Sequence, residues 1–278
     1  MPAGILYRLR EGLAPSAGGA VAADVRIGLG YTAVLLDSGR AGLCYTPREE
    51  LTPGCSTLAD AGRLAGRPAA ELLSRLEGTD PLDRTVGLAA ANALLGEGPL
   101  PAAVEGDVLD AVALTPEDRV GMVGHFAPLE SRLRGRVASL TIFEKASRRE
   151  TGFEPSERAA ELLPACTVAL LTATILLGED PEEIMRAAAP CREVVLLGPS
   201  TPLYPAAFAA GPVTWLSGVV VADPRAVLRV VGEGGGTREF GPFVRRVNLR
   251  VGNGSAGAEG IAVRRVARRA AGEERMSP

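Results

Sequence analysis

Apolar positions along this chain follow two periods. From Val120 onward, short apolar runs alternate with segments whose apolar residues recur at helical spacing. The runs Val120–Val123, Ser139–Phe143, Thr167–Thr172, Glu193–Leu197 and Val213–Val221 predict strands. Between them, Pro128–Leu133, Ser156–Leu163, Asp180–Ala189 and Ala206–Ala210 predict helices, and a last helix opens at Asp223-Pro224 and stops at Gly232. Strand and helix in strict alternation predict a mostly parallel sheet with crossover helices, a Rossmann-like α/β domain.

The first hundred residues read differently. Ile5–Leu13 is a short helix and Ala14–Ala23 a Gly/Ala/Pro loop. Val25–Leu36 predicts one strand region, Asp37-Ser38-Gly39-Arg40 a hairpin turn, and Ala41–Tyr45 its partner strand. Gly28 and Gly30 mark a bulge or a place where something lies close to the backbone. Ser56-Thr57 is placed to cap a helix reaching Leu76, with a break near Gly66-Arg67-Pro68. Asp80, followed by Pro81, caps a second helix ending at Gly96. A Gly/Pro linker and a short helix over Gly106–Ala113 follow. The expected organisation is a smaller α+β domain over residues 1–105, the Rossmann-like domain over 106–247, and an Arg/Gly-rich tail over 248–278 expected to be disordered.

Composition narrows the function classes. The 278 residues carry a net charge of −3, so no global field points to nucleic acid or an anionic membrane. No apolar run approaches the roughly 18 residues of a membrane span. The start lacks the apolar core of a signal peptide, and a cytoplasmic protein is the expectation. The four cysteines, Cys44, Cys55, Cys166 and Cys191, have no C-x-x-C spacing and read as isolated, reduced, buried thiols. Lys145 is the only lysine and His125 the only histidine.

In a parallel sheet the strand ends converge on one edge, where ligands gather. Four ends bring Gly124-His125-Phe126, Glu144, Thr172-Ala173-Thr174 and Gly198-Pro199-Ser200-Thr201 to that edge. One imidazole, one carboxylate, hydroxyls, an aromatic face and Gly-freed amides make a small-molecule pocket. His125 is the general acid or base, or a metal ligand; Glu144 orients it, binds a ribose, or only pairs with a neighbouring cation. Asn92, on the second helix, is either a satisfied polar residue or an amide facing the neighbouring domain. No G-x-G-x-x-G follows the first strand, no P-loop and no G-x-S-x-G elbow occurs, and the scattered His and Cys form no recognisable zinc pattern.

The strings V-G-M-V-G-H-F-A-P-L, I-F-E, E-L-L-P, L-L-T-A-T, V-V-L-L-G-P-S-T-P-L and G-V-V-V-A-D-P, in this order, resemble the DUF364 family, also called the "putative heavy-metal chelation" domain. G-L-G-Y-T-A-V and G-L-A-A-A-N-A-L upstream resemble the DUF4213 unit that precedes it. The resemblance implies an enolase-N-terminal-like domain before a Rossmann-like one, with a pocket built from both. It implies a role with flavin-, pterin- or siderophore-like molecules or their metals, either as an enzyme or as a non-catalytic binder of a metal or metal chelate. A transition metal or a nucleotide-like small molecule is the implied cofactor. The positions that carry over are Gly124, His125, Phe126, Glu144, Thr172, Thr174 and Gly198 to Pro202, with Tyr31, Thr32 and Asn92 from the first unit. Where relatives often hold a Gly-Asp-x-Pro-like string, this chain reads R-E-T-G-F-E-P, so the resemblance carries no ligand role over to Glu150 or Glu154. The expected partner is a small molecule, with neither nucleic acid nor membrane; a homo-oligomer is allowed for, with no feature fixing its symmetry.

Overall fold

The computed structural model describes residues 4–51, 57–96, 100, 102–147 and 150–252. Among these, the strands form a three-stranded and an eight-stranded sheet. The smaller sheet is an antiparallel meander of β1 (Ala22–Ile27), β2 (Tyr31–Leu36) and β3 (Ala41–Tyr45). The region expected as one strand over Val25–Leu36 is therefore two. Gly28 N–H donates to the Tyr31 carbonyl at 2.9 Å and turns the chain between them.

Helices α1 (Ile5–Ala17), α2 (Ala69–Ser74) and α3 (Pro81–Leu95) pack with this sheet. Helix α1 runs through part of the expected loop, because Leu13 and Ala17 continue its buried stripe past Pro15. The helix expected from Ser56-Thr57 to Leu76 forms only beyond its expected break near Gly66-Arg67-Pro68. Ser56 lies outside the described residues, and residues 57–67 are turns and bends, with Gly62 and Gly66 at positive φ. Pro68 then opens α2. Helix α3 starts as its sequence predicts, with the Asp80 carboxylate accepting from the Leu82 and Asp83 amides. It is buried nearly all round, as a helix covered on two sides must be: β2 and β3 lie on one side, and Arg84 reaches across to the carbonyls of Leu177 and Gly178 in the larger unit.

The larger sheet has the order β4 (Val104–Glu105), β11 (Val244–Arg250), β10 (Trp215–Val221), β9 (Glu193–Leu197), β8 (Val168–Thr172), β5 (Arg119–Val123), β6 (Ser139–Glu144), β7 (Glu154–Pro155). From β10 to β7 every pairing is parallel; β11 is antiparallel to both its neighbours. The interior strands β8 and β9 are apolar almost throughout, as strands covered on both faces are. Helices α4 (Val108–Ala111), α5 (Ala127–Leu133), α6 (Ala159–Leu162), α7 (Pro181–Ala187) and α8 (Pro205–Phe208) lie along the run of parallel strands, and β10 is joined to the antiparallel β11 through α9 (Pro224–Gly232). The last of these packs its amphipathic face against β1 and β2, so the two sheets share a packed seam. The architecture is α/β, a Rossmann-like mostly parallel sheet with a smaller α+β part before it.

Strand β11 was not expected. Arg245 and Arg246 give its sequence the look of a charged tail, yet Val247, Asn248 and Leu249 are buried between β10 and β4. The strand runs to Arg250, three residues into the stretch read as tail; the rest of that stretch from Asn253 lies outside the described residues. No helix among the described residues is long and apolar enough to cross a membrane.

Candidate functional site

The adjacency of β9, β8, β5 and β6 brings the four strand ends to one edge. Gly124 ends β5 at φ 81°, with its N–H on the Phe143 carbonyl at 2.9 Å. A Cβ built on it would stand 2.9 Å from Thr172 Cγ2, so glycine meets both the positive φ and the close approach. Thr172 Oγ1 lies 3.0 Å from Thr174 Oγ1 and also accepts the Thr174 N–H, which closes the turn after β8.

His125 follows Gly124 and its side chain is 21% exposed. Its Nε2 lies 2.6 Å from Glu130 Oε2. Its ring stands edge-on to Phe153, with centroids 4.8 Å apart. The other Glu130 oxygen accepts from Arg134 Nε at 2.7 Å. Arg134, and then His125, hold the Glu130 carboxyl below its usual range despite some desolvation. An ionised carboxylate only accepts, so Nε2 carries the proton, and Nδ1 makes no hydrogen bond among the described residues.

Glu144 does not orient this ring. It is buried, and its two oxygens accept the backbone N–H groups of His125 (2.8 Å) and Lys145 (2.9 Å). It fixes where the Gly124-His125 turn sits, while the ring partner, Glu130, belongs to the first turn of α5. Phe126 precedes that helix and its ring edge lies beside Gly198.

At the other end of the edge, Gly198-Pro199-Ser200-Thr201 is a turn, with Thr201 N–H on the Gly198 carbonyl at 3.0 Å. Ser200 Oγ accepts the Tyr45 N–H at 2.8 Å, and Asn92 Nδ2 donates to the carbonyls of Leu43 (2.8 Å) and Ser200 (3.2 Å). These bonds tie the large sheet to β3. Thr201 Oγ1 and Asn92 Oδ1 are buried without a partner among the described residues. Cys44 lies beneath, beside Ser200 and Thr85, and burial pushes its thiol up to about 12.

From Tyr45 the chain runs along the whole edge. Tyr45 is held at the end of β9 by Ser200, and Glu50 forms an ion pair with Lys145 at the end of β6. Tyr31 and Thr32 do not join His125. Tyr31 packs edge-on against Tyr45 and Phe240, and Thr32 is buried with its hydroxyl 3.0 Å from that of Thr46. Glu154 turns to Arg158. The edge thus carries two clusters, His125–Glu130–Glu144–Phe153 and Asn92–Ser200–Thr201–Tyr45, with the two threonines between. Glu130, Phe153, Tyr45 and Glu50 were missed from sequence. Only Glu130 had a signal there, an acid in the first turn of the helix that His125 precedes.

The donor set around His125 does not suit a resident metal ion. Nε2 and both Glu144 oxygens are taken, and no group of three or more His, Cys, Asp or Glu among the described residues is placed to share an ion.

The family model DUF364, described as "Putative heavy-metal chelation", matches residues 107–250, and DUF4213, with the same description, matches residues 10–95. A DUF364 protein of unknown function from Pyrococcus horikoshii aligns with a TM-score of 0.79 at 20% identity, over 89% of this chain and 100% of that one. A second, from Desulfitobacterium hafniense DCB-2, aligns with a TM-score of 0.68 at 22% identity, over 88% of this chain and 98% of that one. Both are likenesses of fold. No curated protein matches the chain.

Proposed function

This chain belongs to the DUF364 family, and from that premise we propose that it binds a small ring-bearing metabolite, of heterocyclic or metal-chelating kind, along the carboxyl edge of its large sheet and acts on it by proton transfer through His125. The observation that carries this reading is the 2.6 Å pair of His125 Nε2 with Glu130. A carboxylate on one ring nitrogen fixes the tautomer and leaves the other nitrogen to meet a substrate proton. Glu144 acts through the backbone, by setting where the imidazole stands.

The remaining groups suit binding and orientation. Phe126 and Phe153 offer ring faces and edges, Thr172 and Thr174 offer hydroxyls, and the Gly198–Thr201 turn offers backbone groups to an anionic substituent. The segment from Tyr45 to Glu50 covers the edge from the side of the small sheet. The family's description favours a second reading, a non-catalytic binder of metal chelates. In that reading the metal arrives within its chelator as cargo, which agrees with the absence of a multi-ligand His, Cys, Asp or Glu set among the described residues.

Native mass spectrometry of the purified full chain, with metal analysis of the same sample, tests both. Thermal-shift assays with flavin mononucleotide, a pterin and a ferric catecholate follow. An organic mass or a probe that stabilises the protein, retained in His125→Ala while turnover is lost, supports the enzyme reading. Retention of a ferric catecholate with no turnover in either protein supports the binder. A stoichiometric bare metal ion lost in His125→Ala would sink both.

A further inference from the structure

Two cysteines that lie 25 residues apart in sequence meet in the fold. Val168 and Glu193 are register partners on the parallel strands β8 and β9. Cys166 and Cys191 each stand two residues earlier. The ladder reaches back between them, with Arg192 N–H donating to the Thr167 carbonyl at 2.8 Å. They are therefore side by side at the amino edge of the sheet, the end opposite His125. Cys191 Sγ lies 3.4 Å from the Cys166 carbonyl and 3.7 Å from that of Leu163, and Cys166 Sγ lies 3.8 Å from that of Leu162. Both thiols thus reach toward the same end of α6.

We propose that Cys166 and Cys191 form a two-sulfur site for a soft d10 cation, with Cu(I) as the type ion. The site does not depend on the ligand of the cleft.

The two thiols are free and not joined as a disulfide. The donor set selects the ion. Two thiols with no third His, Cys, Asp or Glu among the described residues fall short of the four ligands of structural zinc, and they suit a soft cation that accepts two.

Charge and access agree. Binding follows Cu(I) + 2 RSH → [RS–Cu–SR]⁻ + 2 H⁺, with no change of oxidation state. The anionic complex forms near Arg119, whose charge already favours the Cys166 thiolate. Burial, and then Cys166 itself, push the Cys191 thiol up to about 11, so both protons are present to be displaced at neutral pH and affinity rises as pH rises. Cys166 is half-buried and gives the ion a way in; Cys191 is 8% exposed.

The test is anaerobic titration of the reduced full chain with Cu(I) against bathocuproine disulfonate. One equivalent should be withdrawn from the chelator. Cys166→Ser and Cys191→Ser should each weaken binding by more than the ~10–100-fold that loss of an outer-shell partner costs. Cys44→Ser and Cys55→Ser should not. Mapping N-ethylmaleimide labelling by mass on the unmodified chain decides the matter even where a serine variant fails to fold. One equivalent of Cu(I) should slow labelling at Cys166 and Cys191 and leave Cys55 unchanged. No uptake, protection of Cys55 instead, or undiminished binding in both serine variants overturns the proposal.

Discussion

Asp118 offers a test of how the amino edge is held. Its carboxylate is 4% exposed and gathers three strands. Oδ1 accepts the Thr167 hydroxyl at 2.8 Å and Arg192 Nε at 3.1 Å; Oδ2 accepts the Thr115 N–H at 2.7 Å and also pairs with Arg192. Desolvation pushes the acid up, but the Arg192 guanidinium, the Thr115 amide and the Thr167 hydroxyl outweigh it and bring the pKa from 3.8 to about 2. That lowering is worth about 2 kcal/mol to the folded state. Arg192 is 42% exposed, so water shares its charge, and about 1.5–2 kcal/mol is the fair expectation. The sign follows from the direction. Because the folded pKa is lowered, this stability is fully present above the unfolded value of 3.8 and is lost as pH falls toward 2. Asp118→Asn, followed by urea unfolding at pH 7, should lose about 1.5–2 kcal/mol, and its melting temperature should drop by about 3–8 °C for a chain of this size. The gap between wild type and variant should shrink steadily between pH 4 and 2. A gap that stays constant across that range would refute the electrostatic account and leave packing as the cause.

Four further outcomes are expected, each read by urea unfolding. Gly28→Ala should lose about 1–3 kcal/mol, because its Cβ would stand 2.1 Å from the Val231 carbonyl of α9 and the seam between the sheets must open; unchanged stability would mean that the seam is looser than described. Gly124→Ala should lose about 1–2 kcal/mol for its positive φ, with more for the contact with Thr172. Ser200→Ala should lose about 1–2 kcal/mol by leaving the half-buried Tyr45 N–H without its acceptor, whereas Lys145→Ala, which breaks an exposed ion pair with Glu50, should stay within about 1 kcal/mol of wild type.

The parallel core was legible because its strands are buried on both faces. Val168–Leu171 and Val194–Leu197 are unbroken apolar runs, and Asp-Pro at 180–181 and 223–224 marks the helices that follow β8 and β10. Strand β11 escaped because an antiparallel strand with one solvated end mixes arginines with its core residues, as Arg245, Arg246 and Val247 do. Two glycines in Gly28-Leu29-Gly30 could be seen, but not that a carbonyl from residue 231 lies over the first of them. At the candidate site, the strand ends followed from alternation alone. The partners did not: Glu130 meets His125 through the first turn of a helix, and Glu144 spends both oxygens on backbone amides, which no spacing announces. The pairing of Cys166 with Cys191 is a matter of strand order, since β8 and β9 become neighbours only once the sheet is assembled.

Strand β11 also sets the timetable of assembly. It is the last described element of the chain, yet it lies inside the large sheet, between β10 and an edge strand, β4, that precedes it by about 140 residues in sequence. A ribosome delivers β4 long before its only partner exists. Until Arg250 has emerged, β10 presents an unpaired edge to the solvent, of the kind that invites association with other chains. Completion of the sheet therefore waits until β11 has been made. A truncation that stops at Val247, where the Arg-rich stretch begins to look dispensable, would cut through the strand, lose the pairings of Asn248, Leu249 and Arg250, and keep that edge open.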